Sequence, residues 1–171
     1  MKNLFYSILL TVSILFNFSC YGQVNLAIQW QNTIGGAQND ELSAMQQTSD
    51  GGFILGGTTS SNISGNKTEN SKGGMDYWIV KMDAIGKIQW QKDIGGDRDD
   101  QLSSITQTND GGYILGGTSS SNISGNKLDS ADWLGDYWVV KLDALGNIKW
   151  QRKIGGSGHD YFSSIQQTTD G

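Results

Sequence analysis

The chain has 171 residues, one Cys, one His, no Pro and a formal charge of −5 at pH 7. Its hydrophobic content of 36% is too high for a disordered chain and typical of a folded protein. The 12 basic residues are outnumbered by 17 acidic ones and form no run. This pattern argues against binding to nucleic acid or to an anionic membrane surface, because both need clustered Lys and Arg.

Residues 1–22 have the layout of a signal peptide. Lys2 supplies a positive charge, residues 4–18 are mostly apolar, and small residues surround the expected cleavage after Gly22. The apolar run is short for a membrane span. We therefore expect residues 23–171 to be extracellular or on the outer cell surface, with no membrane span after cleavage. The alternative is a lipoprotein anchored through a lipid-modified Cys20.

A 60-residue repeat organises the rest of the chain. Residues 30–89 and 90–149 are identical at about 35 of 60 positions without a gap. Before the first unit, Asn25–Ile34 matches the fourth, outermost strand of a unit. The expected units and the lone outer strand have these bounds: 35–94, 95–154, 155–171 (incomplete) and 24–34.

Each unit contains four segments with strand character. In the second unit they are predicted at Gln101–Thr108, Gly112–Ser119, Asp136–Asp143 and Asn147–Ile154. Short turns that contain glycine join the first segment to the second and the third to the fourth. No segment has the period of a helix of ten or more residues. The sequence therefore predicts an all-β protein made of four-stranded antiparallel sheets.

Two dipeptides recur inside the predicted strands. Gly-Gly at 56–57 and 116–117 is expected to permit close packing or a bulge, because glycine has no side chain. No Lys-Ser or Lys-Thr follows it, so it is not a phosphate loop. Tyr-Trp at 77–78 and 137–138 lies in the middle of the third strand, which predicts core positions.

Four antiparallel strands every 60 residues describe the blades of a β-propeller. A solenoid would need shorter coils and parallel strands, which the short turns disfavour. A closed propeller has about 4–8 blades, whereas this chain supplies about two and a half units. We therefore expect a fragment of a longer protein. The alternative is a small propeller that assembles from several copies of the chain.

The motifs resemble a known repeat family. Residues 155–171 read GGSGHDYFSSIQQTTDG, and residues 95–120 read GGDRDDQLSSITQTNDGGYILGGTSS. With the pattern K-[LM]-D-x-x-G-x-[IV]-x-W, these stretches are similar to the SBBP-type seven-bladed β-propeller repeat. That resemblance implies a secreted or cell-surface protein of Gram-negative bacteria, often exported by type IX secretion. The chain departs from the family in its long loops at 59–75 and 119–135.

In a propeller, these long loops and the connections between units emerge at the same end, where binding residues are expected. Asp40, Asp100 and Asp160 recur there at one position of the unit. Carboxylates in Gly-rich loops are weak candidates for calcium. The competing interpretation is that each Asp caps a turn by accepting backbone N–H bonds. No other cofactor is expected.

Three further residues are candidate ligand contacts. Asn62 and Asn122 occupy near-identical SNISGNK segments, a similarity that a disposable loop does not require. Trp133 lies in the second long loop, where the first unit has Gly73, and a lone loop aromatic is a reasonable ligand contact. These residues predict a site for a glycan or protein ligand.

Catalysis has little support in the sequence. A single His and the absence of Cys from residues 23–171 exclude zinc clusters and Cys–His dyads. We therefore expect a non-catalytic binding or adhesion module and no catalytic residues. Two alternatives stay open: a secreted carbohydrate-active enzyme with an acidic site on the loop face, and a structural spacer within a surface adhesin.

Overall fold

A computed structural model describes residues 27–170. The predicted signal peptide, Cys20 and the first residues of the predicted lone strand lie outside this range. Within it there are eight strands and no helix, so no helix there could cross a membrane. The strands are β1 (Asp40–Gln47), β2 (Phe53–Thr59), β3 (Asp76–Met82), β4 (Ile88–Ile94), β5 (Asp100–Gln107), β6 (Tyr113–Ser119), β7 (Asp136–Leu142) and β8 (Ile148–Ile154).

The strands form two four-stranded antiparallel sheets in the orders β1-β2-β3-β4 and β5-β6-β7-β8. This confirms the all-β prediction, and the four strands predicted in the second unit agree with β5–β8 to within about one residue at each end. Every neighbouring pair is antiparallel, which excludes the parallel solenoid for the described residues.

The turns between β1 and β2 and between β5 and β6 are each held by a lysine from the third strand. Lys81 is buried in β3, and its Nζ lies 2.9 Å from Asp50 in the first turn. The hydrogen bond from Lys81 holds the pKa of Asp50 well below its usual range. Lys141 and Asp110 repeat the pair at 2.8 Å. The recurring Asp-Gly and Lys-(Met/Leu)-Asp motifs are therefore two parts of one contact.

The two sheets pack face to face around one core. The first sheet contributes Ile54, Tyr77, Ile79 and Ile94, and the second contributes Leu102, Ile105, Tyr113, Leu115, Trp138, Val140 and Leu142. At its centre the ring centroids of Tyr77 and Trp138 are 5.1 Å apart, and Tyr77 Oη donates to the Trp138 carbonyl at 3.1 Å. The recurring Tyr-Trp pair is thus a core element, as predicted.

The stacking is head to tail. The second sheet meets the first through Trp138 and Leu115, whereas the equivalent residues of the first sheet, Trp78 and Leu55, lie on its opposite face, in a second apolar cluster. Each sheet therefore has two different faces. One face, the covering face, is the kind that packs against a following sheet, and the opposite face is the kind that packs against a preceding sheet.

The Gly-Gly pairs serve both predicted purposes. A Cβ on Gly56 would lie 2.5 Å from Leu102 Cδ2 of the next sheet, so the absence of a side chain permits close packing between sheets. A Cβ on Gly57 would lie 2.0 Å from the Glu41 carbonyl oxygen, at the β-bulge between Leu42 and Ala44 in β1. Gly116 and its neighbour Gly117 repeat both relationships.

Residues 27–34 occupy the place of a fourth strand without forming one. Trp30 meets Phe53 edge to face at 5.5 Å, as Trp90 of β4 meets Tyr113 at 5.8 Å. No strand ladder forms over residues 27–34, the described part of the segment predicted as a lone outer strand, and that prediction stays a prediction. A strand needs a hydrogen-bonded neighbour, and residues 27–34 have none within the described chain.

The segment 160–168 relates to the second sheet as β5 relates to the first. Phe162 N donates a hydrogen bond to Thr118 Oγ1 at 3.3 Å, and the equivalent Leu102 N donates to Thr58 Oγ1 at 3.1 Å. A Cβ on Gly116 would lie 2.1 Å from Phe162 Cζ, which repeats the contact between the first glycine pair and β5. No ladder forms in this segment either.

Candidate binding surface at the long-loop end

The two long loops meet at the connection between β4 and β5. Gly74 N, in the first long loop, donates to the Arg98 carbonyl at 3.1 Å. Asp97 N donates to Ser124 Oγ of the second long loop at 2.8 Å. The connection is thus held between both loops, and the prediction that these segments share one end of the sheets is confirmed for the described residues.

The recurring loop aspartates each close their own turn. Asp40 Oδ2 accepts a hydrogen bond from Gly36 N at 2.7 Å, and Asp100 and Asp160 accept from the equivalent glycines at 2.7 and 3.1 Å. The structure places the three in separate units and does not bring them together. In residues 27–170 no three His, Cys, Asp or Glu side chains are grouped to hold a metal ion. The turn-cap interpretation therefore describes their geometry.

A buried carboxylate lies behind this surface at the start of β3. Asp76 Oδ2 accepts bonds from Ser71 Oγ at 2.7 Å and Lys72 N at 2.6 Å, whereas buried Oδ1 has no partner among the described residues. Burial, together with the negative charges of Asp93 and Asp100, raises the pKa of Asp76 to about 7, although the hydrogen bonds from Lys72 N and Ser71 act to lower it. The carboxyl therefore titrates near neutral pH.

An ion-pair network surrounds that carboxylate in the first unit. Lys67 and Asp93 form an ion pair in which both side chains are 0% exposed. Lys72 Nζ lies 3.0 Å from the same Asp93 carboxylate. Because an isolated buried charge is costly, each of these groups depends on the others.

The second unit reverses two of these charges. Asp132 stands at the position of Lys72, and Lys153 stands at the position of Asp93. Lys153 Nζ lies 3.1 Å from Asp136. Lys127, the equivalent of Lys67, packs over the Trp138 ring at 4.7 Å, and burial lowers its pKa. The two units thus each bury a carboxylate at the start of the third strand, but surround it with different charged residues.

The exposed part of this end contains a cleft beside Trp133. It has a volume of about 380 Å³ and is lined by Gly74, Asp97, Arg98, Asp99, Ser120 and Trp133. Trp133 is 77% exposed, and the Arg98 guanidinium lies 4.9 Å from its ring centroid. A cation over one face of an exposed ring contributes about 0.5–1 kcal/mol. The cleft therefore combines an accessible aromatic surface with a cation and two carboxylates.

One of the two candidate asparagines, Asn122, bonds to a residue that lines this cleft. Asn122 N and Nδ2 donate to Asp97 at 2.8 and 3.1 Å, and these bonds lower the pKa of Asp97. Asn62 lacks such a partner because residue 37, at the position of Asp97, is Ala. The SNISGNK segments are therefore similar in sequence, while only the second holds a carboxylate that lines the cleft.

Aromatic residues continue beyond the cleft onto the third unit. His159 and Tyr161 stack at 5.7 Å between centroids, and Tyr161 is 76% exposed. His159 Nδ1 lies 2.8 Å from the Leu134 carbonyl oxygen, next to Trp133 in the second long loop. The second long loop thus contacts Arg98 on one side and the third unit on the other.

Sequence reasoning identified Trp133 and missed Arg98 as its partner. The available signal was the asymmetry of the repeat: the first unit has Gln38 at the position of Arg98 and Gly73 at that of Trp133. Both members of the pair thus appear only in the second unit. A comparison with models of protein families and a comparison with curated proteins each found no match to the chain.

Proposed function

We propose that the chain is part of an extracellular or cell-surface β-propeller whose long-loop end binds a glycan without catalysis. The cleft beside Trp133 carries this proposal, because it pairs an exposed aromatic face with hydrogen-bonding groups. Sugar rings present C–H groups that pack on aromatic faces and hydroxyls that bond to Arg and carboxylates. The cleft is open and shallow, which suits a polymer chain better than an enclosed small molecule.

The propeller part of the proposal is supported by the head-to-tail stacking of blade-like sheets around glycine contacts. Each unit covers the next in the same way, and residues 27–34 and 160–168 extend that pattern at both ends. The resemblance of the repeat motifs to SBBP-type units supports the same architecture and a surface location. The apolar leader supports export.

The carbohydrate-active enzyme is the second candidate, since Asp97 and Asp99 line the same cleft. Each carboxylate already accepts hydrogen bonds from other parts of the fold. Asp97 accepts two bonds from Asn122, and Asp99 Oδ1 accepts one from Met75 N at 3.0 Å. A catalytic acid needs a raised pKa, whereas the bonds from Asn122 lower the pKa of Asp97. These contacts favour binding over hydrolysis.

A glycan array probed with the chain, followed by calorimetry on the best ligand, tests the proposal. Trp133→Ala is expected to weaken binding by roughly five- to 150-fold, if the loss is similar to the about 1–3 kcal/mol that a nucleic-acid base gains by stacking on an aromatic ring. Trp150→Ala is the matched control, since Trp150 is 47% exposed on β8, outside the cleft. Equal binding by both variants would contradict the site. If the parent chain bound neither a glycan nor a protein ligand, the spacer would be the better description.

A further inference from the structure

An empty socket lies on the outer face of the first sheet. It is a groove of about 230 Å³ whose apolar lining includes Leu42, Leu55, Gly57, Trp78 and Val80. Leu42 at its rim is 59% exposed. The Trp78 indole is fixed by a 3.0 Å bond from Nε1 to Gln91 Oε1, so the socket wall is preorganised.

The second sheet contains the same socket in its filled form. The equivalent lining residues are Leu102, Leu115, Gly117, Trp138 and Val140. Tyr77 of the preceding sheet occupies it and is 0% exposed. A Cβ on Gly117 would lie 2.6 Å from Tyr77 Oη, which shows how closely the phenol fits. With the tyrosine in place, Leu102 is only 4% exposed, in contrast to the equivalent leucine of the empty socket.

We infer that the empty socket binds Tyr137 from a second copy of this chain. Tyr137 is the repeat equivalent of Tyr77 and belongs to the opposite, covering face of the second sheet. The outer face of the first sheet and the outer face of the second sheet are therefore equivalent to the two sides of the interface between the sheets within one chain. In the complex, the phenol of Tyr137 lies on the Trp78 ring and donates to the Trp78 carbonyl, as Tyr77 does to Trp138.

One internal segment competes with this association. Phe162 meets Tyr137 edge to face at 5.5 Å and covers Gly116. In the interface between the two sheets of one chain, Leu102 of β5 occupies the equivalent position, over Gly56. An incoming copy must place its Leu42 there, so the segment 160–168 has to leave. That segment forms no strand ladder, so its displacement breaks only scattered hydrogen bonds, such as those that Phe162 N and Ile165 make with the second sheet.

Sedimentation equilibrium of residues 23–171 over a wide concentration range tests this inference. The parent chain is expected to associate reversibly, and Phe162→Ala is expected to tighten association several-fold by weakening the competing segment. Leu42→Glu, which places a charge in the socket rim, is expected to weaken association more than roughly tenfold. Tyr137→Phe is expected to weaken it roughly two- to tenfold through loss of one hydrogen bond.

Leu145→Glu is the matched control, since Leu145 is 71% exposed in the turn between β7 and β8, away from both faces. It is expected to associate like the parent chain. Circular dichroism of each variant shows that it remains folded. The inference is overturned if the parent and Phe162→Ala chains both stay monomeric up to about 1 mM. It is also overturned if Leu42→Glu and Leu145→Glu change association equally.

Discussion

Lys153 Nζ lies 3.1 Å from Asp136 at the start of the third strand of the second unit. In the first unit the equivalent carboxylate, Asp76, faces Asp93, and the two negative charges repel each other. Two buried aspartates at the same position of the repeat therefore have opposite electrostatic surroundings. Their substitution by Asn is expected to have opposite effects.

Asp76→Asn is expected to stabilise the fold at pH 8 and to flatten its pH dependence. The pKa of Asp76 is about 7 in the folded chain, against an ordinary value of 3.8. Below about pH 4 the carboxyl is protonated in both states. As pH rises toward 7 the unfolded chain releases the proton first, so the free energy of unfolding falls. Urea unfolding from pH 4 to 8 is expected to show a gain on the order of 1–2 kcal/mol for the variant at pH 8.

Asp136→Asn provides the matched comparison at the equivalent position. It leaves the ammonium group of Lys153 without its carboxylate, so it is expected to destabilise the fold at pH 8. A stabilising effect of both substitutions, or of neither, would show that the difference between residues 93 and 153 does not control these carboxylates.

The reversed charge pair predicts a measurable coupling between Lys72 and Asp93. Asp93→Lys alone removes the partner of buried Lys67 and adds a third cation, so it is expected to cost about 3–5 kcal/mol. Lys72→Asp in the same chain copies the Asp132 and Lys153 arrangement of the second unit. The double variant is expected to recover at least about 1 kcal/mol relative to the sum of the single effects.

A complete cycle of four proteins, measured by urea unfolding at one pH, gives this coupling energy. Strict additivity of the two substitutions would mean that the charges do not interact and that the reversal between units is coincidental. The cycle isolates the coupling of Asp93 to Lys72, whose side chain is 24% exposed, while fully buried Lys67 is unchanged in all four proteins.

Gly56 and Gly116 are expected to differ in how strongly substitution by alanine destabilises the fold. A Cβ on Gly56 would lie 2.5 Å from Leu102 Cδ2 and 3.1 Å from Ile105 Cγ2, inside the core between the two sheets. Gly56→Ala is expected to cost about 1–3 kcal/mol because the core must shift. Gly116→Ala meets Phe162 at a shorter 2.1 Å, yet Phe162 belongs to a segment without a ladder and can move.

Thermal unfolding of both alanine variants distinguishes these cases. Gly116→Ala is expected to lower the midpoint by less than half as much as Gly56→Ala. If Gly116→Ala proved the more damaging substitution, segment 160–168 would be held as firmly as a strand of the first or second sheet. That result would also contradict the ease of displacement on which self-association depends.

Much of the fold was predictable because turn chemistry and strand pattern agree within each unit. The Asn109-Asp110-Gly111 turn and the alternation around it predict β5 and β6 closely. The glycine pairs and the Tyr-Trp pairs were also assigned correctly to packing, since a position in the middle of a strand favours contact with a neighbouring sheet. The lone outer strand over Asn25–Ile34 stays a prediction, because a strand pattern does not show whether a hydrogen-bonding neighbour is present.

The candidate site was less predictable because it depends on contacts between loops. Trp133 could be found as an aromatic that breaks the repeat, but its contact with Arg98 connects residues 35 positions apart in sequence through two irregular segments. The burial of Asp76 and Asp93 also has no local signal. Polar residues in alternating strands usually face solvent, whereas here the long loop folds back over them.

The head-to-tail stacking has a consequence for how such a chain can change in length. Each sheet covers its neighbour through side chains that recur every 60 residues, so the insertion or loss of one whole unit leaves every contact with an equivalent partner. A shift of a single residue within a unit would instead carry Tyr77 away from its place on Trp138. The contacts between sheets thus constrain the spacing inside each unit, whereas the number of units is set by how the ends of the array are covered.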